Sequence, residues 1–154
     1  LTLSVNSRRA FLKGAELLSR RAHGKAELTR KLMQKYPREC AEQAADKLEK
    51  LGLINDGEFA DMLAQELYTH RKYGVSRVKQ ELLRRGIDRA LAEEAAERLD
   101  KDDLNRIILL LQTKYRNNLG DEKGIIRTKN SLLRLGYSYS DIRAAFESIE
   151  NESF

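Results

Sequence analysis

Three glycines, Gly24, Gly74 and Gly124, stand fifty residues apart, and eight positions beyond each comes a leucine, Leu32, Leu82 or Leu132. Each leucine is followed by a second large apolar residue: Met33, Leu83 or Leu133. Ala44-Ala45-Asp46-Lys47-Leu48 aligns with Ala95-Ala96-Glu97-Arg98-Leu99 after a shift of one residue. A period near fifty along a 154-residue chain implies one supersecondary unit used three times. Each copy would have a small core and stack chiefly on its neighbours.

The repeated unit is helical. The chain has one proline and no tryptophan, and Ala, Leu, Glu, Lys and Arg are abundant, which favours helix over sheet. In the central copy Val75, Val78, Leu82 and Leu83 recur at helical spacing, and Gly86 follows Arg84-Arg85 as a glycine just past a helix end. Ala10, Phe11, Ala15, Leu17, Leu18 and Ala22 predict a first helix over 8–23, and Leu28, Leu32 and Met33 a second running to Tyr36-Pro37. A third starts near Pro37, turns Cys40, Ala41, Ala44, Ala45, Leu48 and Leu51 inward, and ends at Gly52. Asn55 or Asp56 caps the next helix, with Glu58 placed for a capping box and Leu53 or Ile54 for a staple. Asp88, then Asp102 or Asp103, then Ser138 with Asp141 offer later caps, and Gly136 a later terminator. The expected fold is all-α: three tandem three-helix repeats, over 8–53, 54–101 and 102–150, stacked into an elongated, curved molecule. A flexible lead-in (1–7) and a tail (151–154) flank them.

Several function classes find no support in the residues. The strongest apolar run, Ile107 to Leu111, is far short of a membrane span, and the first residues show no signal-peptide pattern. Cys40 has no partner for an intrachain disulfide, in keeping with the cytoplasm, and reads as a small core hydrophobe. His23 and His70 are isolated, without carboxylates at metal-ligand spacing, and no glycine-rich phosphate loop occurs. No catalytic group, metal site or cofactor is therefore expected. Tyr73, Tyr115 and Tyr137 are read as packing residues.

Charge distribution is the positive signal. The net charge is +5, from 29 basic and 24 acidic residues, and the basic ones gather on the second helix of each unit. The expected binding residues are Lys25, Arg30 and Lys31; Arg71, Lys72, Arg77, Lys79, Arg84 and Arg85; and Lys123, Arg127, Lys129 and Arg134. The third helices are acidic, with Glu39, Glu42, Asp46 and Glu49, then Glu93, Glu94 and Glu97, then Asp141, Glu147 and Glu150. A recurring basic face suits a phosphate backbone or an acidic protein surface. Against this, Arg77 with Glu81 also fits an ordinary i,i+4 pair on a solvated face.

The central stretch, Arg71-Lys72-Tyr73-Gly74 with Arg77, Gln80-Glu81-Leu82 and Arg85-Gly86-Ile87, resembles the RecX family of bacterial regulatory proteins, which modulate the RecA recombinase. Leu17-Leu18-Ser19-Arg20-Arg21, the junction from Leu53 to Ala60, and Leu133-Arg134-Leu135-Gly136-Tyr137 with Asp141-Ile142 extend the resemblance over about Ala10 to Ile149. It implies a cytoplasmic, non-enzymatic monomer that binds within the groove of the RecA filament on DNA and inhibits its ATPase and strand exchange. Some contact with single- or double-stranded DNA through phosphates is also implied. The rival is a free-standing DNA-binding protein, using the turn from Arg85 to Asp88 as a helix-turn-helix would, though Glu93, Glu94 and Glu97 in the following helix suit a major groove poorly. Tyr36-Pro37 departs from the glycine turn of the other two units, so a different inter-helix angle is expected there. Family members vary in length at the N-terminus, and this chain opens on Leu1, which leaves room for a preceding segment.

Overall fold

The structure, a computed structural model, describes residues 4–152; the first three residues of the expected lead-in and the last two of the expected tail lie outside the described residues. Among the described residues the chain is all-α. The helices are α1 (Val5–Arg20), α2 (Lys25–Met33), α3 (Arg38–Lys50), α4 (Asp56–Thr69), α5 (Val75–Arg84), α6 (Arg89–Glu97), α7 (Asp103–Gln112), α8 (Glu122–Arg134) and α9 (Tyr139–Glu152). A single 3-10 turn, Arg116–Asn118, precedes α8.

Helix α1 starts earlier than its apolar pattern suggests, because Ser4 caps it. The Ser4 hydroxyl accepts from the Ser7 backbone N–H at 3.1 Å, and the fully buried Ser7 donates to Gln43 at 2.7 Å. Residues 4–7 of the expected flexible lead-in are therefore the cap and first turn of a helix. At the other end, α9 takes in Asn151 and Glu152 of the expected tail.

The chain forms two compact units. One runs to Leu63 and takes up Leu82–Ala95; the other holds Ala64–Glu81 and continues from Ala96. The division passes through α4, α5 and α6, so each unit includes part of the middle triplet of helices.

In the first unit Ala10, Leu28, Leu32, Ala41, Ala44, Ala45, Leu48 and Ile54 form the core, flanked by Phe11, Ala15, Leu17 and Leu18. Each fully buried leucine contributes about 1.5–3 kcal/mol. Helix α3 ends as its glycine foretold, with Gly52 at φ +79° and the Leu53 N–H donating to Leu48 O. Leu51 and Leu53, on either side of that glycine, are exposed, and of the two staple candidates only Ile54 is buried. Cys40 is half-buried at the edge of the core rather than inside it. Between α2 and α3 the chain turns without a positive-φ residue and enters α3 from Pro37, at φ −56° and ψ 149°. The equivalent turns later in the chain use Gly86 at φ +88° and Gly136 at φ +97°.

In the second unit the core contains Ile107, Leu110, Leu111, Tyr115, Leu132, Tyr137, Ile142 and Ala145. Leu28, Val78 and Thr128 share one register position and are all buried, as are Leu32, Leu82 and Leu132 four residues on. The fifty-residue period is thus a period of core positions.

Helix starts are satisfied in two ways. Asn55 Oδ1 accepts from the Glu58 N–H and caps α4 itself, while its neighbour Asp56 reaches back to accept from the N–H of Lys25, the first residue of α2. In the second unit Asp103, at the start of α7, likewise accepts from the N–H of Val75, the first residue of α5, at 3.2 Å. The last copy differs: α8 is capped by Asp121 from just ahead of it, through Gly124 N–H at 2.7 Å. A carboxylate at a helix N-terminus satisfies an orphan donor and opposes the helix dipole.

Candidate functional site

The expected basic residues do not all present a free charge. In the first unit Lys25 extends from α2 to α3, 2.8 Å from Asp46 and 3.0 Å from Glu49; these hydrogen bonds raise its pKa and hold it protonated. Lys31 donates to His23 Nε2 at 2.9 Å. An ammonium only donates and a carbonyl only accepts, so His23 is the tautomer with its proton on Nδ1, directed at Arg21 O 3.0 Å away. Burial lowers the His23 pKa; the Arg21 carbonyl opposes this, the charges of Arg21 and Lys31 reinforce it, and Glu27 opposes it. Burial pushes Glu27 up, but the hydrogen bond and charge of Arg21, paired with it at 3.1 Å, together with the smaller effects of His23 and Lys31, leave the carboxyl below its ordinary value. His23 is thus a satisfied, neutral packing residue. A small hollow of about 160 Å³ lies beside it, lined by Leu53, Phe59 and Met62 among others.

In the second unit Arg77 is occupied by the protein itself. Its guanidinium lies 4.2 Å from the Tyr73 ring and donates to Arg134 O at 2.5 Å, so it pins the C-terminal end of α8. Lys129 lies over the Phe146 ring at 5.0 Å, and Arg134 donates to Ser131 Oγ at 3.2 Å. Lys79 is half-buried, close enough to Glu97 to lower the pKa of that carboxyl, after the larger effects of hydrogen bonding and charge from Lys101.

Arg30, Arg71, Lys72, Arg85, Lys123 and Arg127 make no side-chain ion pair among the described residues. Of these only Arg85 is half-buried; the rest are exposed, and so is Arg84. Lys72 has a left-handed backbone, φ +61°, which a residue with a Cβ adopts at a cost of about 1–2 kcal/mol. Its carbonyl is held by the Tyr137 hydroxyl at 2.5 Å. The three tyrosines are packing residues as expected: Tyr115 and Tyr137 are buried and Tyr73 lies under Arg77.

Two features escaped the sequence. Arg106 lies against the Tyr68 ring at 3.6 Å and donates to Tyr68 O, leaving its Nε buried without a partner. The second is a groove of about 470 Å³ in the second unit, lined by Val75, Ser76, Lys79, Gln80, Leu133 and Arg134, among others. Leu133 is 43% exposed, and its register partners Met33 and Leu83 are each 39% exposed. Leu83, which recurs at helical spacing with Val75, Val78 and Leu82, is therefore a surface residue. Consecutive positions on a helix point about 100° apart, so of the pairs 32–33, 82–83 and 132–133 only the first member reaches the core. That signal was present in the sequence.

Among the described residues there is no group of three or more His, Cys, Asp or Glu side chains able to hold a metal ion, and no helix is long and apolar enough to cross a membrane.

Comparison with known proteins gives this arrangement a family. Residues 10–48 match the family model described as "RecX, first three-helix domain" and residues 55–95 the one described as "RecX, second three-helix domain". The chain is 34% identical over 146 residues to the regulatory protein RecX of Trichlorobacter lovleyi, covering 89% of this chain and 93% of that one. It is 30% identical over 126 residues to the regulatory protein RecX of Amycolatopsis mediterranei, covering 79% and 72%. The crystal structure of RecX from Lactobacillus salivarius has the same fold, with a TM-score of 0.80 over 96% of this chain and 99% of that one at 23% identity. Fold and relatives together define a helical protein of the regulatory class. The chain belongs to the RecX family.

Proposed function

We propose that this chain regulates the RecA recombinase in the cytoplasm by binding, as a monomer, to its filament on DNA, and that it inhibits ATP hydrolysis and strand exchange. Three three-helix repeats over 8–53, 54–101 and 102–150 carry the contacts. The observation that carries this reading is the recurrence of cations without ion pairs on or beside the second helix of every repeat: Arg30, then Arg71, Lys72 and Arg85, then Lys123 and Arg127. Together with family membership, this favours a partner that is anionic and itself repetitive. Several weak contacts on one chain reinforce one another when their spacing matches the partner. Arg84, Lys79, Lys129 and Arg134 add to the same surfaces, whereas Lys25, Lys31 and Arg77 act by holding structure in place.

A free-standing DNA reader is disfavoured by α6, whose Glu93 and Glu94 are exposed on the helix that would have to enter the groove. The deciding experiment measures DNA-dependent ATP hydrolysis by the cognate recombinase with and without this protein, alongside co-sedimentation with filaments. Inhibition with co-sedimentation is expected; neither effect, or tight sequence-selective binding to naked duplex, refutes the proposal. Binding to naked DNA is expected to be weak and to fall steeply with salt.

A further inference from the structure

The groove in the second unit has the chemistry of a peptide site. Val75, Ser76, Lys79 and Gln80 of α5 line it together with Leu133 and Arg134 at the end of α8. Its volume, about 470 Å³, is that of a small ligand pocket and admits a few side chains. Leu133 is 43% exposed and lies outside the core cluster of its unit, so packing does not account for an apolar residue there. The backbone that carries Leu133 and Arg134 is fixed, because Arg77 holds the Arg134 carbonyl from α5. The site is therefore preorganised.

Charge decides the sign of the occupant. Asp103 is the one carboxylate among the described lining residues; its oxygens accept from the Val75 N–H at 3.2 Å and the Tyr68 hydroxyl at 3.3 Å, and its single negative charge is outnumbered by the cations Lys79 and Arg134. Glu97, near Lys79, is engaged by Lys101. Lys79 and Arg134 remain as cations flanking an apolar slot. A nucleic-acid strand is a poor match, because phosphate contacts need no apolar wall and bases need an exposed ring to stack on. The lining ring, Tyr137, is buried, with its hydroxyl donating to Lys72 O. We infer that the groove docks an acidic peptide segment of the protein partner, with one apolar side chain against Val75 and Leu133 and carboxylates at Lys79 and Arg134. This rests on the reading that the chain binds a protein filament, and it leaves DNA phosphates to other cations such as Lys123 and Arg127.

The test uses the full chain labelled with ¹⁵N and two probes: a short acetylated, amidated peptide of glutamates flanking one leucine, and oligo(dT). The peptide is expected to move the amide resonances of Val75, Ser76, Gln80 and Leu133. Lys79→Glu and Leu133→Ser are each expected to weaken it by about tenfold, the loss seen when a central contact is removed. Gln80→Trp, at an exposed position of α5, fills the groove and serves as a second means of blocking it should the other variants lose the dispersed spectrum of a folded chain. If these amides do not respond to the peptide, or respond to oligo(dT) instead, the assignment is wrong. Co-sedimentation with the cognate recombinase filament separates the two levels of inference. Wild-type protein that stays in the supernatant overturns the regulatory reading, whereas wild type and Gln80→Trp that pellet equally well overturn the groove alone.

Discussion

Replacing Gly74 by alanine tests how tightly the second unit is built. The Gly74 N–H donates to Leu135 O at 2.8 Å, and a Cβ on Gly74 would lie 2.6 Å from Gly136 O, 2.7 Å from Gly136 C and 2.9 Å from Tyr137 N. All three obstacles are backbone, so rotamer changes do not relieve them. Relief requires the two segments to separate, which costs the hydrogen bond, about 0.5–1.5 kcal/mol, together with overpacking strain of about 1–3 kcal/mol. The expected loss for Gly74→Ala is therefore about 2–4 kcal/mol. Gly24 is the internal control, since it occupies the same register position. There the new Cβ would meet only side-chain atoms of Ile87 and Phe59, at 3.4 Å, an ordinary contact distance, and its φ of −73° suits any residue. Gly24→Ala is expected to stay within about 1 kcal/mol of wild type, the reduced entropy of the unfolded chain partly offsetting a slightly poorer cap. Urea unfolding of the two variants measures the difference, provided the denaturant slope is unchanged. Losses equal to within about 0.5 kcal/mol would refute the claim that backbone approach, rather than helix capping, requires glycine at position 74.

Asp103→Ala leaves the first N–H of α5 without its acceptor and is expected to cost about 1–2 kcal/mol in urea unfolding, with faster amide exchange at Val75 as the local mark; unchanged exchange would refute the capping role. Lys72→Gly relieves a left-handed backbone and is expected to raise stability by about 0.5–1 kcal/mol while weakening filament binding. A stabilised variant that binds as well as wild type would show that the strained lysine has no part in binding. The buried, neutral His23 gives a pH dependence: its folded pKa lies below the ordinary 6.5, so its share of stability is fully present above about 6.5 and is lost as pH falls through the lowered value. His23→Gln is expected to flatten the stability profile over that window, and an unaltered slope would refute the assignment.

How far the chain could be read in advance follows from which interactions are local. The repeat was legible because core positions recur with it: Leu28, Val78 and Thr128 are buried, as are Leu32, Leu82 and Leu132. Its glycines looked like one device and are three. Gly24 precedes α2 and faces the side chains of Ile87 and Phe59, Gly74 faces the Gly136 backbone, and Gly124 sits inside α8, where a Cβ would collide with Asn118 O. Helix ends marked by a positive-φ glycine were legible for the same reason, since Gly52, Gly86 and Gly136 act through their own backbones. Caps supplied from a distance were not. Asn55 and Asp56 look interchangeable as N-caps, and only the fold sends Asp56 back to Lys25. The basic residues were found by type but not by role, because whether Arg77 faces a partner or the Arg134 carbonyl depends on a contact fifty-seven residues away. The groove was invisible in one dimension, although the paired apolar residues at 32–33, 82–83 and 132–133 already implied that one of each pair must face outward.

The distant caps also give the chain a direction in time. On the ribosome, α2 emerges with its first N–H bonded to water and without its protein acceptor until Asp56, thirty-one residues later, has left the exit tunnel. The start of α5 waits in the same way for Asp103, twenty-eight residues on. Of the three second helices α8 alone carries its own acceptor, Asp121, and so depends on nothing downstream to complete its first turn. A chain interrupted between two repeats thus holds a helix still lacking its cap, which marks it as incomplete until the next segment arrives.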